Sequence, residues 1–209
     1  DYTPSIKSTN RNGHNPLFVA LISGNLKCVE ALITAENIEL DAKDFNGNSI
    51  YHICAEYNNF EALRVLLSKK DSRFLEPLFI RNNQEDSVIH TASKYGNLEI
   101  IKLVISKIFD GFSSLETYVT SKNKEGQSCF HIACNKGFFN IIEYFLRDLK
   151  INYFLEQLDN NLNSPLHLAA SNGHLSIVEI LLAYGAELNN KNKEGSTPLE
   201  LSCRKGYFE

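Results

Sequence analysis

The sequence predicts an all-α solenoid of about six helix–turn–helix units, with β-hairpin fingers between them and insertions in several. Three observations carry this expectation. One stretch of the 209-residue chain recurs in more or less altered form at intervals of 33 to 41 residues, and such a period marks stacked copies of one supersecondary unit. Each copy has a helix-capping residue at the same phase. Ahead of most caps an Asp or Asn stands three residues before a Gly, the composition of a tight turn.

The best-formed copy runs from Asn163 to Leu188. Ser164 offers the short oxygen that caps a helix, and Pro165 takes the first helical turn, where its missing N–H costs nothing. Leu166, Leu168, Ala169 and Ala170 give this first helix a small apolar body. Asn172 and Gly173 break it, and a second helix runs from His174 to Ala183 before Gly185 ends it in the left-handed region. Ile177, Val178, Leu181 and Leu182 recur at helical spacing on that second helix, so the pattern assigns them to one buried face.

Aligned on His167, the copies bring Phe18, His52, His90, His131 and Glu200 to one phase. Three positions earlier stand Asn15, Ser49, Ser87, Ser128, Ser164 and Thr197, all preferred helix caps. The finger signature spans Asn10 to Gly13, Asp44 to Gly47, Asn123 to Gly126 and Asn192 to Gly195. The third and fifth copies carry Glu85 and Leu162 in place of the Gly, which makes their fingers the least secure. The expected units are residues 10–43, 44–81, 82–122, 123–158, 159–191 and an incomplete 192–209, forming one solenoid over 1–209. Extra residues fall at 71–80, 108–119 and 148–157. Their Phe74, Leu75, Phe109, Phe112, Tyr118, Tyr153 and Phe154 argue against flexible linker, which is poor in aromatics. Lengthened second helices, or short helical turns folded back onto the edge, are expected instead.

At 43% hydrophobic and 22% charged residues, the composition is that of an ordinary soluble domain. The longest apolar run, Ile100 to Ile108, is cut by Lys102 and Lys107 and falls short of the roughly 20 residues a membrane helix needs. No charged-then-apolar leader is seen, and five cysteines, an odd number, fit a reducing compartment better than a disulfide framework. A cytoplasmic location without direct membrane insertion is therefore expected. A net charge of −4 with scattered lysines gives no basic stripe for nucleic acid.

The run Ser164-Pro165-Leu166-His167-Leu168-Ala169-Ala170 through Gly173-His174, then Ile177-Val178, Leu181-Leu182 and Gly185-Ala186, resembles the ankyrin repeat family. The resemblance implies that His52, His90, His131 and His167 hydrogen-bond backbone and capping groups beside the finger, with Ser49, Ser87, Ser128 and Ser164 as their caps. It also implies binding of a protein partner along a concave face built from the fingers and the exposed side of the first helices. The positions that would face it are Glu56 and Tyr57, Lys94 and Tyr95, and Asn135 and Lys136, with Phe45 at a finger tip; Tyr57, Tyr95 and Phe45 stand out as aromatics that the repeat itself does not require. The irregular periods, with leucine and aromatic residues inserted before the finger, resemble the ankyrin-type transient receptor potential channels as well. A non-catalytic interaction scaffold and the cytoplasmic ankyrin domain of such a channel thus both stand, the second with other domains of the same chain as partners.

Chemistry has few candidates. Equivalent histidines on successive units stack in a row, whereas zinc ligands converge within about 2 Å of one ion. Cys129-x-His131-x-x-Cys134 has metal-like residue types but no second pair to complete four ligands. Cys129, at a helix start, is the best placed of the thiols for reactivity. There is no Gly-rich phosphate loop, no Gly-x-Ser-x-Gly elbow and no His-Glu-x-x-His run. No catalytic, cofactor or metal site is expected. Leu17 to Ile22 reads as apolar all round and the sixth copy lacks its second helix, so the sequence is expected to be a fragment of a longer array.

Overall fold

The computed structural model describes residues 8–35, 38–69, 72–109 and 115–207, which form two compact units, one on each side of residues 110–114. In the first, α1 (Pro16–Ile22) turns back into α2 (Leu26–Ile33), α3 (Ile50–Glu56) into α4 (Phe60–Ser68), and α5 (Val88–Tyr95) into α6 (Leu98–Phe109). First helices stack on first helices, α1 on α3 on α5, and second helices on second helices, α2 on α4 on α6. The second unit opens with the short α7 (Leu115–Val119). It continues with α8 (Cys129–Lys136), α9 (Phe139–Glu143), α10 (Pro165–Ser171), α11 (Leu175–Ala183) and α12 (Pro198–Lys205). Here α8, α10 and α12 form one row and α9 and α11 the other.

Each first helix begins one residue after its cap, at Asn15, Ser49, Ser87, Ser128, Ser164 and Thr197. Their small bodies suit close stacking. Ile50, Tyr51, Cys54 and Ala55 of α3, and Cys129, Phe130, Ala133 and Cys134 of α8, are all fully buried. Among the described residues there is no β-strand, so the expected β-hairpin fingers are present as hydrogen-bonded turns without a ladder.

Two expectations about buried faces need correction. On α11 the buried residues are Ile177, Ile180 and Leu181, while Val178 is half-buried and Leu182 is 40% exposed. The helix is apolar at nearly every position, so periodicity alone cannot fix its rotation. On α1, Leu17, Phe18, Ala20 and Leu21 are buried but Val19 is 48% exposed, so the helix is not buried on all sides within the described residues.

The inserted stretches contain short helical turns. Ser72–Phe74 and Glu76–Phe79 are 3₁₀ turns that bury Phe74 and Leu78, and the Tyr51 hydroxyl donates to the Phe74 carbonyl. In the second unit α9 runs on into a π-helical turn, Tyr144–Asp148, followed by a 3₁₀ turn, Asn152–Phe154. Phe154 stacks flat on Phe130, 5.0 Å between centroids, and meets Phe145 edge-on at 5.3 Å. Tyr153 stays 42% exposed, and Phe112 lies outside the described residues.

Candidate interaction surface

Within each unit the first helices border fingers built from one and the same turn, which recurs six times among the described residues. In each finger an Asp or Asn side-chain oxygen accepts backbone N–H groups two and four residues on. Asp44 takes those of Asn46 and Asn48, Asn82 those of Gln84 and Asp86, and Asp159 those of Asn161 and Asn163, at 2.8 to 3.0 Å. The fourth residue closes the turn onto the first and sits in the left-handed region. Glu85 (φ 60°) and Leu162 (φ 57°) do so without glycine, and their turns close at 2.9 and 3.0 Å like the others. A left-handed non-glycine residue costs roughly 1–2 kcal/mol, which the two side-chain hydrogen bonds offset.

Successive fingers are tied together at their tips. The backbone N–H of Phe45 donates to Asn12 (3.2 Å), that of Asn83 to Asn46 (2.9 Å) and that of Lys193 to Asn161 (2.9 Å). This close approach requires Gly13, whose Cβ, if present, would lie 2.8 Å from the Phe45 ring. Phe45, 69% exposed, therefore lays one edge of its ring against the preceding finger.

His52, His90, His131 and His167 lie behind the fingers with no exposed surface. Nδ1 of His52 accepts from the backbone N–H of Ser49 (3.2 Å) and faces its hydroxyl (2.8 Å), and Nε2 lies 2.9 Å from the Asp86 carbonyl of the next finger. His131 repeats this with Ser128 and the Gln157 carbonyl, and His167 with Ser164 and the Ser196 carbonyl. His90 takes the same contacts from Ser87. Since Nδ1 accepts, these rings are neutral with the proton on Nε2. Burial lowers the pKa of His52, His131 and His167, His131 to about 4, with the next carbonyl opposing the shift. Phe18 cannot make these bonds; it stacks on His14 instead, 5.7 Å between centroids. In the sixth position Glu200 supplies a carboxylate to the Thr197 N–H at 2.8 Å.

Of the residues expected to face a partner, the structure brings Glu56, Lys94 and Tyr95 together. The Tyr95 hydroxyl donates to Glu56 Oε1 at 2.9 Å, and Lys94 Nζ lies 5.8 Å above the Tyr95 ring. Burial, then the Glu56 hydrogen bond and charge, push the Tyr95 hydroxyl up to about 12. Tyr57 is 46% exposed beside them. Asn135 and Lys136 sit at the end of α8 in the other unit, Asn135 half-buried beneath Asn172 Nδ2 (2.8 Å) and Lys136 exposed.

Sequence reasoning missed two sets of residues. Asn46, Asn48, Asn82, Asn83 and Gln84 line a cleft against Glu56, Lys94 and Tyr95; the signal was the same amide-rich finger twice in succession. Asn59, Asn97 and His174, at one phase after the first helix, reach back to carbonyls of the preceding unit's first helix: Leu21, Ala55 (2.7 Å) and Asn135 (3.2 Å).

Cys54, Cys129 and Cys134, on α3 and α8, are inert by environment. Cys129 is fully buried, its Sγ donates to the Val119 carbonyl (3.4 Å), and burial pushes its thiol up to about 12. Its place at a helix start therefore does not activate it. Burial raises Cys134 and Cys54 too. No helix among the described residues is long and apolar enough to cross a membrane.

A family model described as ankyrin repeats (3 copies) matches residues 3–74, 70–154, 89–192 and 148–209. The human transient receptor potential cation channel subfamily A member 1 is 26% identical over 215 residues, covering 98% of this chain and 17% of the channel. The E3 ubiquitin-protein ligase XBAT33 of Arabidopsis thaliana is 52% identical over 48 residues, covering 23% of this chain and 9% of the ligase. Alpha-latroinsectotoxin-Lt1a of Latrodectus tredecimguttatus is 34% identical over 86 residues, covering 41% of this chain and 6% of the toxin. The chain thus spans a small part of each of these relatives. With turn, cap and paired helices recurring as described and the family model matching along its length, the chain belongs to the ankyrin repeat family, whose repeats are non-catalytic protein-interaction modules.

Proposed function

We propose that the chain is one array of six repeats that binds a protein partner along the concave surface formed by its fingers and first helices, with no chemistry of its own. Tyr57 and Tyr95 carry this reading. Two large rings at neighbouring first-helix ends are 46% and 42% exposed, and exposed aromatics of this kind supply most of the energy of protein interfaces. Phe45, Glu56 and Lys94 extend the same surface, and Asn135 and Lys136 hold the corresponding positions on α8 of the second unit. Titration of the protein partner against Tyr57→Ala/Tyr95→Ala tests it. The affinity is expected to fall by about tenfold or more while the melting temperature holds, and an unchanged affinity would move the site elsewhere.

A second reading places the array in the cytoplasmic part of a cation channel of the transient receptor potential subfamily A. The similarity to the human channel covers 98% of the chain, where the ligase and toxin similarities cover 23% and 41%. Cloning the complete message would decide it. A channel requires downstream apolar segments of about 20 residues each, and a full-length message without them would exclude the reading.

A further inference from the structure

An apolar groove of about 520 Å³ runs along α10, α11 and α12 of the second unit. Leu175, Leu182, Leu188, Leu199 and Tyr207 line it, each at least 40% exposed. So many large apolar side chains gathered in one place mark a surface built to be covered.

The other second helices show what covers such a surface. Counted from the residue that leads into each of them, the positions four and eight residues on are Val29 and Ile33 in α2, Leu63 and Leu67 in α4, and Ile142 and Leu146 in α9 and its π-helical turn. All six are buried, and in each case a following second helix, α4, α6 or α11, stacks on that helix. On α11 the same two positions are Val178, half-buried, and Leu182, 40% exposed. The positions three and seven residues on belong to the opposite side, toward the preceding helix. Ala62 and Leu66 of α4, Ile100 and Val104 of α6, and Ile177 and Leu181 of α11 are buried there. In α2, the first of its row, Cys28 is exposed and Leu32 half-buried.

The backbone leads into the groove. The Tyr207 N–H donates to the Ser202 carbonyl (2.9 Å), as Asn59 does to Cys54 (2.9 Å), Asn97 to Ala92 (2.9 Å) and His174 to Ala169 (3.0 Å) at the entrances of α4, α6 and α11. The Tyr207 ring lies against Gly173 as the His174 ring lies against Gly137. Tyr207 therefore stands where the earlier repeats start their second helices.

We infer that the groove seats an α-helix of this same polypeptide, entered from Tyr207 and stacked on α11 as α11 stacks on α9. Apolar side chains three and seven residues after Tyr207 would then lie over Val178 and Leu182. A helix brought by another protein or by a second copy has no use for the entrance that Tyr207 provides. The inference is independent of the partner surface proposed above.

Thiol labelling tests it. Leu182→Cys is placed in the 209-residue chain and in the full-length protein encoded by the complete message, and maleimide modification of each cysteine is followed by mass spectrometry. Position 182 is expected to react at least about tenfold more slowly in the full-length protein, while Cys28, exposed on α2 of the other unit, reacts alike in both. Aspartate at the positions three and seven residues after Tyr207 should restore the fast reaction. Should Leu182→Cys not fold by circular dichroism, amide hydrogen exchange across Leu175–Ala183 of the unaltered proteins should show the same slowing. Equal rates in the two proteins, or a message with polar residues at both of those positions, would overturn the inference. Protection of the 209-residue chain that rises with its concentration would give the groove to a second copy, and protection that needs added cell lysate would give it to another protein; either overturns it.

Discussion

A histidine whose two ring nitrogens are both held inside the fold is a base kept neutral. In His131 the Nδ1 position already receives the Ser128 N–H, so a second proton there would set donor against donor. Its pKa of about 4 lies below the value of about 6.5 in an unfolded chain. Because the unfolded chain takes up the proton first, the stability from this site is complete above about pH 6.5 and is lost as the pH falls toward 4. The shift corresponds to about 3 kcal/mol for His131, with further losses of the same sign from His52 and His167. Denaturant melts between pH 7.5 and 4.5 should show this decline, and His131→Gln should flatten it. A melt independent of pH across that range would refute the neutral-ring assignment. Glu200 titrates separately: its pKa is lowered, first by the Thr197 N–H, so its contribution goes only below the ordinary carboxylate range.

At the scale of helices, the second helix of the best-formed repeat separates what a pattern can and cannot fix. Leu181 is fully buried and Leu182 is 40% exposed. Leu181→Ala should therefore cost about 2–5 kcal/mol in a urea melt, and Leu182→Ala less than about 1 kcal/mol. Equal losses would mean that the helix is rotated from its place here. The sequence located this helix but not its facing, because Ile177, Val178, Ile180, Leu181 and Leu182 crowd an apolar pattern past the point where one stripe stands out. The first helices were far more legible, since each cap is a short polar side chain followed by an apolar run, and every cap starts its helix. The backward-reaching Asn59, Asn97 and His174 were not legible, because Asn-Asn, Gly-Asn and Gly-His between two helices all read as ordinary turns. Asn97→Ala leaves the Ala55 carbonyl without its 2.7 Å donor and should cost about 1 kcal/mol in the same assay; no loss would show that water replaces the amide.

For the whole molecule, the proposed function depends on what the repetition leaves exposed. Turn, cap and histidine recur from repeat to repeat, while Tyr57, Tyr95, Glu56 and Lys94 do not, the Tyr95 hydroxyl tying α5 to Glu56 of α3. The exposure of the tyrosines was legible, because they stand at first-helix phases that point away from the core. The cleft beside them was not, since its wall is made of asparagines that any finger turn would favour. The proposed surface puts a partner across fingers and first helices and not across the second helices. A photoreactive phenylalanine analogue placed at Tyr57, 46% exposed at the end of α3, or at Arg64, exposed on α4, addresses this within one unit. In cells expressing the chain, a crosslinked protein partner is expected from position 57 and none from position 64. A partner captured from position 64 and absent from position 57 would contradict it.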